Sequence, residues 1–442
     1  MNISLSDHFD SKKILKFTLS PIIMMVFTSI YGVVDGFFIS NFVGKTAFAA
    51  VNFVMPLVMI LGCFGFMFGT GGSALISKTL GEGKKEKANK LFSMLIICSV
   101  ICGFLITLLG FLIIKKVLQL LGAQDKMLED CLSYARIVLP AIPVLFLQYE
   151  FQSLFVAAEK PKLGLYVTVA AGVTNMVLDA LFVGVFNWGI EGAALATAFS
   201  QFIGGVFPII YFSRKNTSLL RLTKPEFDIK ALFKICSNGS SEVMSNISMS
   251  LVGMLYNFQL LKYAGENGVA VYGVLMYVNM IFLAVFIGFS IGTSPLISYH
   301  FGAQNFDELK GILKRSLRII FVFAICMFIL SQILAKPLAQ FFVGYDNELK
   351  NMTLHAFFIF AFCFLLAGFS IFGSSFFTAL NDGLVSALIS FLRTLVFQVA
   401  AILILPLFWQ IDGIWISSVV AEVASVTITF LFLIAKRNKY KY

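Results

Sequence analysis

Residues 71–81 read GGSALISKTLG, and residues 292–302 read GTSPLISYHFG. Six of the eleven positions are identical at an offset of 221. The same offset carries WGIEG at 188–192 onto WQIDG at 409–413, with no gap between the two matches. An offset of 221 is half of 442 residues, so the chain reads as one unit duplicated and fused.

The composition says what that unit is made of. Hydrophobic residues make up 59% of the chain and charged residues 13%, against about 25% charged in a soluble domain. A water-soluble fold has nowhere to put that apolar surplus, because one face of each element must meet water. A bilayer span asks for about 20 apolar residues. Twelve runs qualify, at 14–40, 47–72, 91–114, 131–157, 163–184, 190–213, 235–262, 268–298, 316–340, 353–378, 384–407 and 411–435. Six lie in each copy. Six is even, so both copies enter from the same side. This predicts a pseudo-two-fold axis along the membrane normal, with the substrate path between the halves. The expectation is an all-α integral membrane protein of twelve transmembrane helices in two pseudo-symmetric six-helix bundles. The N-terminal lobe spans 1–213, a basic inter-lobe linker 214–234, and the C-terminal lobe 235–442.

Lysines and arginines set the orientation. Alternate segments between the runs carry 24 of them on one side and 7 on the other, with Arg136 and Arg393 inside runs. Cytoplasmic loops hold the excess, which places both termini in the cytoplasm of a multi-pass cell (inner) membrane protein. The net charge of +10 is spent in these loops, so it is no signal for nucleic acid. The seven cysteines form no CxxC pair and read as reduced, structural residues.

An ionised side chain in hydrocarbon costs at least about 2.5–3.5 kcal/mol, so it marks a pathway or a pair. Asp35 lies in the first run and Asp179 in the fifth, with Asn175 one turn before it on the same helix face. The turn between the fifth and sixth runs centres near Trp188, nine residues after Asp179 and nine before Thr197. Each is therefore about 13 Å from that turn. Asp35 stands at a similar remove from the loop at 41–46. The four residues Asp35, Asn175, Asp179 and Thr197 can share one level of the N-terminal lobe. As a hard, oxygen-rich set they could hold Na⁺ or share a proton; alternatively each is a separately satisfied polar group. At the same offset the C-terminal half has Tyr256 for Asp35, Val396 for Asn175 and Ala400 for Asp179, which suggests a single ion-handling lobe. Glu242, early in the seventh run, either faces the central cavity and pairs with a cationic substrate or stands at the membrane interface. Arg393 and Glu422 read as a buried pair, and Glu150 as a rim residue or an arginine's partner.

The segments VVDGFFISNFVG, GGSALISKTLGEGKKEKA and NMVLDALFVGVFNWGIEGAALATAFS, with the duplication, resemble the multidrug and toxic compound extrusion (MATE) family. The resemblance covers the whole chain and is finer to the branch with acids in the N-terminal lobe. It implies a V-shaped pair of bundles that alternate between facing in and facing out, an antiporter in which Na⁺ or H⁺ entry drives export of small organic cations. It also implies a coupling-ion site at Asp35, Asn175, Asp179 and Thr197. Gln152 occupies a position where relatives carry a polar side chain near that site, and Glu242 aligns loosely with an acid of the seventh span. The expected protein is a monomeric multidrug efflux transporter with no cofactor beyond its coupling ion, of the kind that confers antibiotic resistance. The alternative within the superfamily is a lipid-linked oligosaccharide flippase, which would want a basic cavity. An enzyme is not expected: the chain has three histidines and no HExxH motif.

Overall fold

The structure is a computed structural model that describes residues 3–43 and 45–442. Gly44, in the loop from which the depth of Asp35 is reckoned, lies outside those residues. The described residues form helices and turns and no strand. Hydrocarbon permits little else, since it offers no water to the peptide groups and each span must satisfy them internally.

The helices are α1 (Ser11–Phe38), α2 (Lys45–Gly81), α3 (Lys85–Leu120), α4 (Asp125–Ala157), α5 (Pro161–Val185), α6 (Gly189–Ser213), α9 (Phe306–Val343), α10 (Asn347–Ala379), α11 (Gly383–Ile404) and α12 (Pro406–Tyr440). Between α6 and α9 a single helical run covers Ile229–Gly302, 74 residues. At 1.5 Å per residue that is about 111 Å, far more than the hydrocarbon core of about 30 Å. Gly265 breaks it, with φ 62° and ψ −153°, a conformation that is essentially glycine's alone. The two arms are α7 (229–264) and α8 (266–302), which makes twelve spans among the described residues.

The helices outrun the apolar stretches that announce them. Helix α2 continues to Gly81, α3 begins at Lys85 and α9 at Phe306, because adding residues to a formed helix is easy and lysine heads reach water along their own stems. Helix α7 starts at Ile229, where the Asp228 carboxylate caps it by accepting from the Ala231 N–H at 3.0 Å. Residues 229–234, read as linker, are thus helical. The rest of the connector lies on the N-terminal half. The Arg221 N–H donates to Asn89 Oδ1 at 3.0 Å, the Thr223 N–H to Ser93 Oγ at 2.8 Å, and Lys90 pairs with Glu226 at 2.9 Å. The Lys90 ammonium holds the Glu226 carboxyl below its usual range.

The duplication is visible in the packing. One buried core draws only on residues 39–235 and another only on 252–415. A third joins residues 5–22 and Val156 to residues 286–442. Helix α1 therefore belongs to both halves: its first part packs with α8 and α9, while Phe27 and Tyr31 meet Gly172 of α5.

The halves touch through glycines. A Cβ on Gly81 would collide with the Tyr299 carbonyl, and one on Gly302 with the Lys78 carbonyl. Gly81 and Gly302 are 221 residues apart, as are Lys78 and Tyr299, so the contact is reciprocal, as at a two-fold interface. Gly71 against Ile235, and Gly239 against Met67, continue the seam inward. Small residues are what allow membrane helices to approach this closely. The seam lies at the end of the molecule that holds both termini. Toward the far end, a Cβ on Gly32, Gly253 or Gly273 would meet open space. The core that joins the halves includes the terminal residues 5–22 and 433–442, whereas the other two cores keep to residues 39–235 and 252–415, the arrangement of a V.

Candidate ion site and cleft

Helix α1 brings Asp35 to the centre of the N-terminal half, just before a wider π turn at Ile39–Val43. Helix α5 brings Asn175 and Asp179, and Asp179 adjoins a second π turn at Ala180–Val185. Such turns rotate side chains out of regular register and recur at functional sites. The Asp35 carboxyl lies within side-chain range of both Asp179 and Asn175. Tyr134 of α4 stands beside Thr197, Asp35 and Asp179, so three of the four expected residues adjoin one tyrosine and Asn175 adjoins Asp35. Asp179 is fully buried, and Asp35 is 6% exposed.

The set is short of hydrogen-bond donors. Asp35 Oδ1, Asn175 Oδ1, both Asp179 oxygens and Thr197 Oγ1 are buried without a hydrogen-bond partner. Ionised carboxylates only accept, and uncompensated charge in a dry core is costly. Two facing carboxyls with an amide and a hydroxyl therefore suit a small hard cation or a shared proton. Among the described residues no group of three or more His, Cys, Asp or Glu side chains gathers as a metal site.

Three further residues line the region without a sequence signal that singled them out. Tyr31 lies beside Asp35 and Gln148. Gln148 packs on Gly204 of α6, and its Oε1 has no partner. Tyr134 is fully buried, its hydroxyl donating to Met55 Sδ at 3.7 Å. Gln152, one turn beyond Gln148, is buried with both amide atoms unpartnered. Glu150 is neither at a rim nor paired with an arginine: it is fully buried next to Ser99, with both oxygens unpartnered.

The C-terminal half shows what happens to the equivalent place without the acids. Tyr256, counterpart of Asp35, donates from its hydroxyl to Gln398 Oε1 at 2.9 Å. That hydroxyl also lies 2.6 Å from Ser417 Oγ and 2.8 Å from Ser418 Oγ, and Ser418 is the counterpart of Thr197. The cluster satisfies itself. The buried charges between α11 and α12 are also paired. Arg393 Nε donates to Glu422 Oε1 at 2.9 Å, and Nη2 lies 2.8 Å from the same oxygen.

Glu242 belongs to neither cluster. Three residues before it, Gly239 is pressed against Met67 in the seam, and its carboxyl lies near Cys63, one turn before Met67. Glu242 therefore sits one turn beyond the seam, on the floor of the cleft. It is partly exposed and has no ion-pair partner among the described residues.

A sequence model of the MatE family matches residues 21–181 and 243–404. The chain belongs to the MatE family. It is a membrane transporter rather than an enzyme. The two matched blocks fall one in each half of this MatE chain. Curated relatives include the multidrug export protein MepA of Staphylococcus haemolyticus, 28% identical over 318 residues that cover 72% of this chain and 70% of the relative. MepA of Staphylococcus aureus is 26% identical over 321 residues, with the same coverages. Solved structures share the fold. One, described as the outward-facing conformation of a multidrug resistance MATE family transporter, superposes with TM-score 0.93 at 23% identity, over 98% of this chain and 97% of that one. A transporter of the wider superfamily from Pyrococcus furiosus, described as having a binding pocket of reverse polarity, superposes with TM-score 0.92 at 23% identity over 98% of both chains.

Proposed function

We propose that this MatE chain is a secondary active multidrug exporter that expels small organic cations in exchange for Na⁺ or H⁺, one half alone handling the ion. The observation that carries this reading is the contrast between the halves: partnerless oxygens around Asp35 and Asp179 against a self-satisfied cluster around Tyr256. The ion enters from the far end, neutralises the carboxyl pair and favours one packing of the N-terminal half. The excess of lysine and arginine in the loops supports a cytoplasmic location for the closed, terminal end. Glu242, unpaired on the cleft floor, supplies the counter-charge for a cationic substrate, whereas an anionic lipid-linked sugar would be repelled there. Ion and substrate must differ in their affinity for the two states, or nothing is moved. The acting unit is the single chain.

The test uses purified protein in liposomes. Uptake of ethidium would be followed under an imposed Na⁺ gradient or pH gradient, for wild type, Asp35→Asn, Asp179→Asn and Glu242→Gln. A carboxylate on a desolvated cation contributes several kcal/mol (about 7 at 2.4 Å with an effective dielectric of 20). Either Asp→Asn change is therefore expected to lower coupled transport at least about a hundredfold. Glu242→Gln is expected to raise the KM for ethidium while coupling survives. Full gradient-driven transport by both Asp→Asn variants would sink the site, and a wild type that moves no cation under either gradient would sink the exporter.

A further inference from the structure

The first described residues do more than lead into α1. Leu5 and Phe9 are completely buried, in the core that also holds Phe286, Ile297 and Ile312. The Phe9 N–H donates to Glu308 Oε1 at 2.9 Å, and Arg315 Nη1 donates to the Phe9 carbonyl at 2.6 Å. His8 Nδ1 lies 2.6 Å from Glu308 Oε2. Phe9 also covers His300 edge-on, at 6.3 Å between ring centres. By all these contacts, residues 5–9 are part of the C-terminal half.

The next contact crosses to the other half. Glu159 stands in the turn between α4 and α5, in the N-terminal half. Its Oε1 accepts from Ser4 Oγ at 2.7 Å and from the Leu5 N–H. Val156, one turn earlier, is the only residue of α4 drawn into the core around Leu5. Glu159 holds φ at +59°, a left-handed backbone uncommon for a side-chain-bearing residue. Local folding therefore favours glycine here, and what the carboxylate supplies is the bond to the segment from the other half.

We propose that residues 4–9 are a latch across the terminal-end gate, and that Glu159 is the residue that fastens it. The inference rests on the reading that the halves alternate. In the closed state the segment, anchored in the C-terminal half, is tied to the N-terminal half by two hydrogen bonds to one carboxylate. Opening the gate separates Glu159 from Ser4 and Leu5. The latch thus biases the resting population toward the state closed at this end. It also sets how readily substrate gains access from that side, since apparent affinity falls with the competent fraction.

Single-molecule energy transfer between dyes at positions 162 and 310 reads the gate directly. Lys162 and Lys310 are exposed and lie in opposite halves, and dyes attached through non-canonical amino acids leave the seven native thiols untouched. Hydrogen bonds to a charged acceptor are the stronger kind. Glu159→Gln is expected to raise the open-to-closed ratio about tenfold. Glu159→Gly should do the same while relieving the left-handed backbone, so misfolding cannot account for a shift they share. Removing residues 2–6 should match that shift, and Glu159→Gln should add nothing further in the shortened chain. An unchanged distance distribution in all variants, or additive effects of the deletion and Glu159→Gln, overturns the latch. A wild type that shows one distance whatever the ion or substrate overturns the alternating reading, and the latch with it.

Discussion

Consider removing the arginine from the pair between α11 and α12. At 2.8 Å, opposite unit charges in an effective dielectric of 20 attract by about 6 kcal/mol. Desolvating both ions offsets most of that, so the intact pair is worth little over a well-packed apolar pair. Removing one partner is another matter. Glu422 is 5% exposed and would be left as an uncompensated acid between two helices. The expected cost of Arg393→Met is about 3–5 kcal/mol. The double variant Arg393→Met/Glu422→Leu removes both charges and should recover to within about 1–2 kcal/mol of wild type. Equilibrium unfolding in mixed micelles, titrated with SDS, gives both numbers. Trp415 is a fitting reporter because it is 1% exposed and in the core of the same half, whereas Trp188 and Trp409 are 50% and 56% exposed. A single variant within about 1 kcal/mol of wild type, or a double variant as unstable as the sum of its singles, refutes the view that the pair persists to avoid a stranded charge.

Two more outcomes follow from the terminal end. Gly239→Ala or Gly302→Ala drives a methyl group into a backbone carbonyl of the opposite half. Overpacking of this kind costs about 1–3 kcal/mol, here charged only to the closed state, so dye pairs across the gate should shift toward the open distance. Asp382 caps α11 and accepts from the Tyr440 hydroxyl at 2.5 Å, with Lys439 at 3.5 Å. Burial alone would raise its carboxyl, but Tyr440 and Lys439 outweigh it and hold the group below its usual range. A depressed carboxyl contributes stability above its unfolded value and loses it as pH falls toward the folded one. Asp382→Asn should therefore cost about 1 kcal/mol at pH 7, and thermal melts should show the gap closing below about pH 4.

The spans were legible because hydrocarbon enforces one pattern, a long apolar run, and the two halves because identity at a fixed offset survives in the seam itself. Gly81 and Gly302 are conspicuous in the repeat for the same reason that they touch carbonyls across the axis. The gathering of Asp35, Asn175, Asp179 and Thr197 could be read because helical rise converts position into depth. Tyr31, Tyr134 and Gln148 could not: an aromatic or amide residue on a buried helix looks the same whether it packs or lines a site. The offset named Tyr256 as the counterpart of Asp35, yet its bonding to Gln398, Ser417 and Ser418 needed three helices in place. Residues 4–9 carry no period at all, so their anchoring to Glu308 and Glu159, some 300 and 154 residues away, left no trace in the local sequence.

The glycine seam has a consequence for what the protein does not let through. Where backbone is pressed on backbone, at Gly71, Gly81, Gly239 and Gly302, the glycines have no side chain of their own to swing and keep partial touch as the bundles separate. Dispersion falls so steeply that a gap of about 0.5–1 Å already forfeits a quarter to a half of each contact. The closure is therefore lost abruptly and regained abruptly. A pump that lingered ajar at this end while parted at the other would be a pore, and the ion gradient would drain through it without moving any cargo. Bare glycine faces make dwelling in that short-circuit unfavourable.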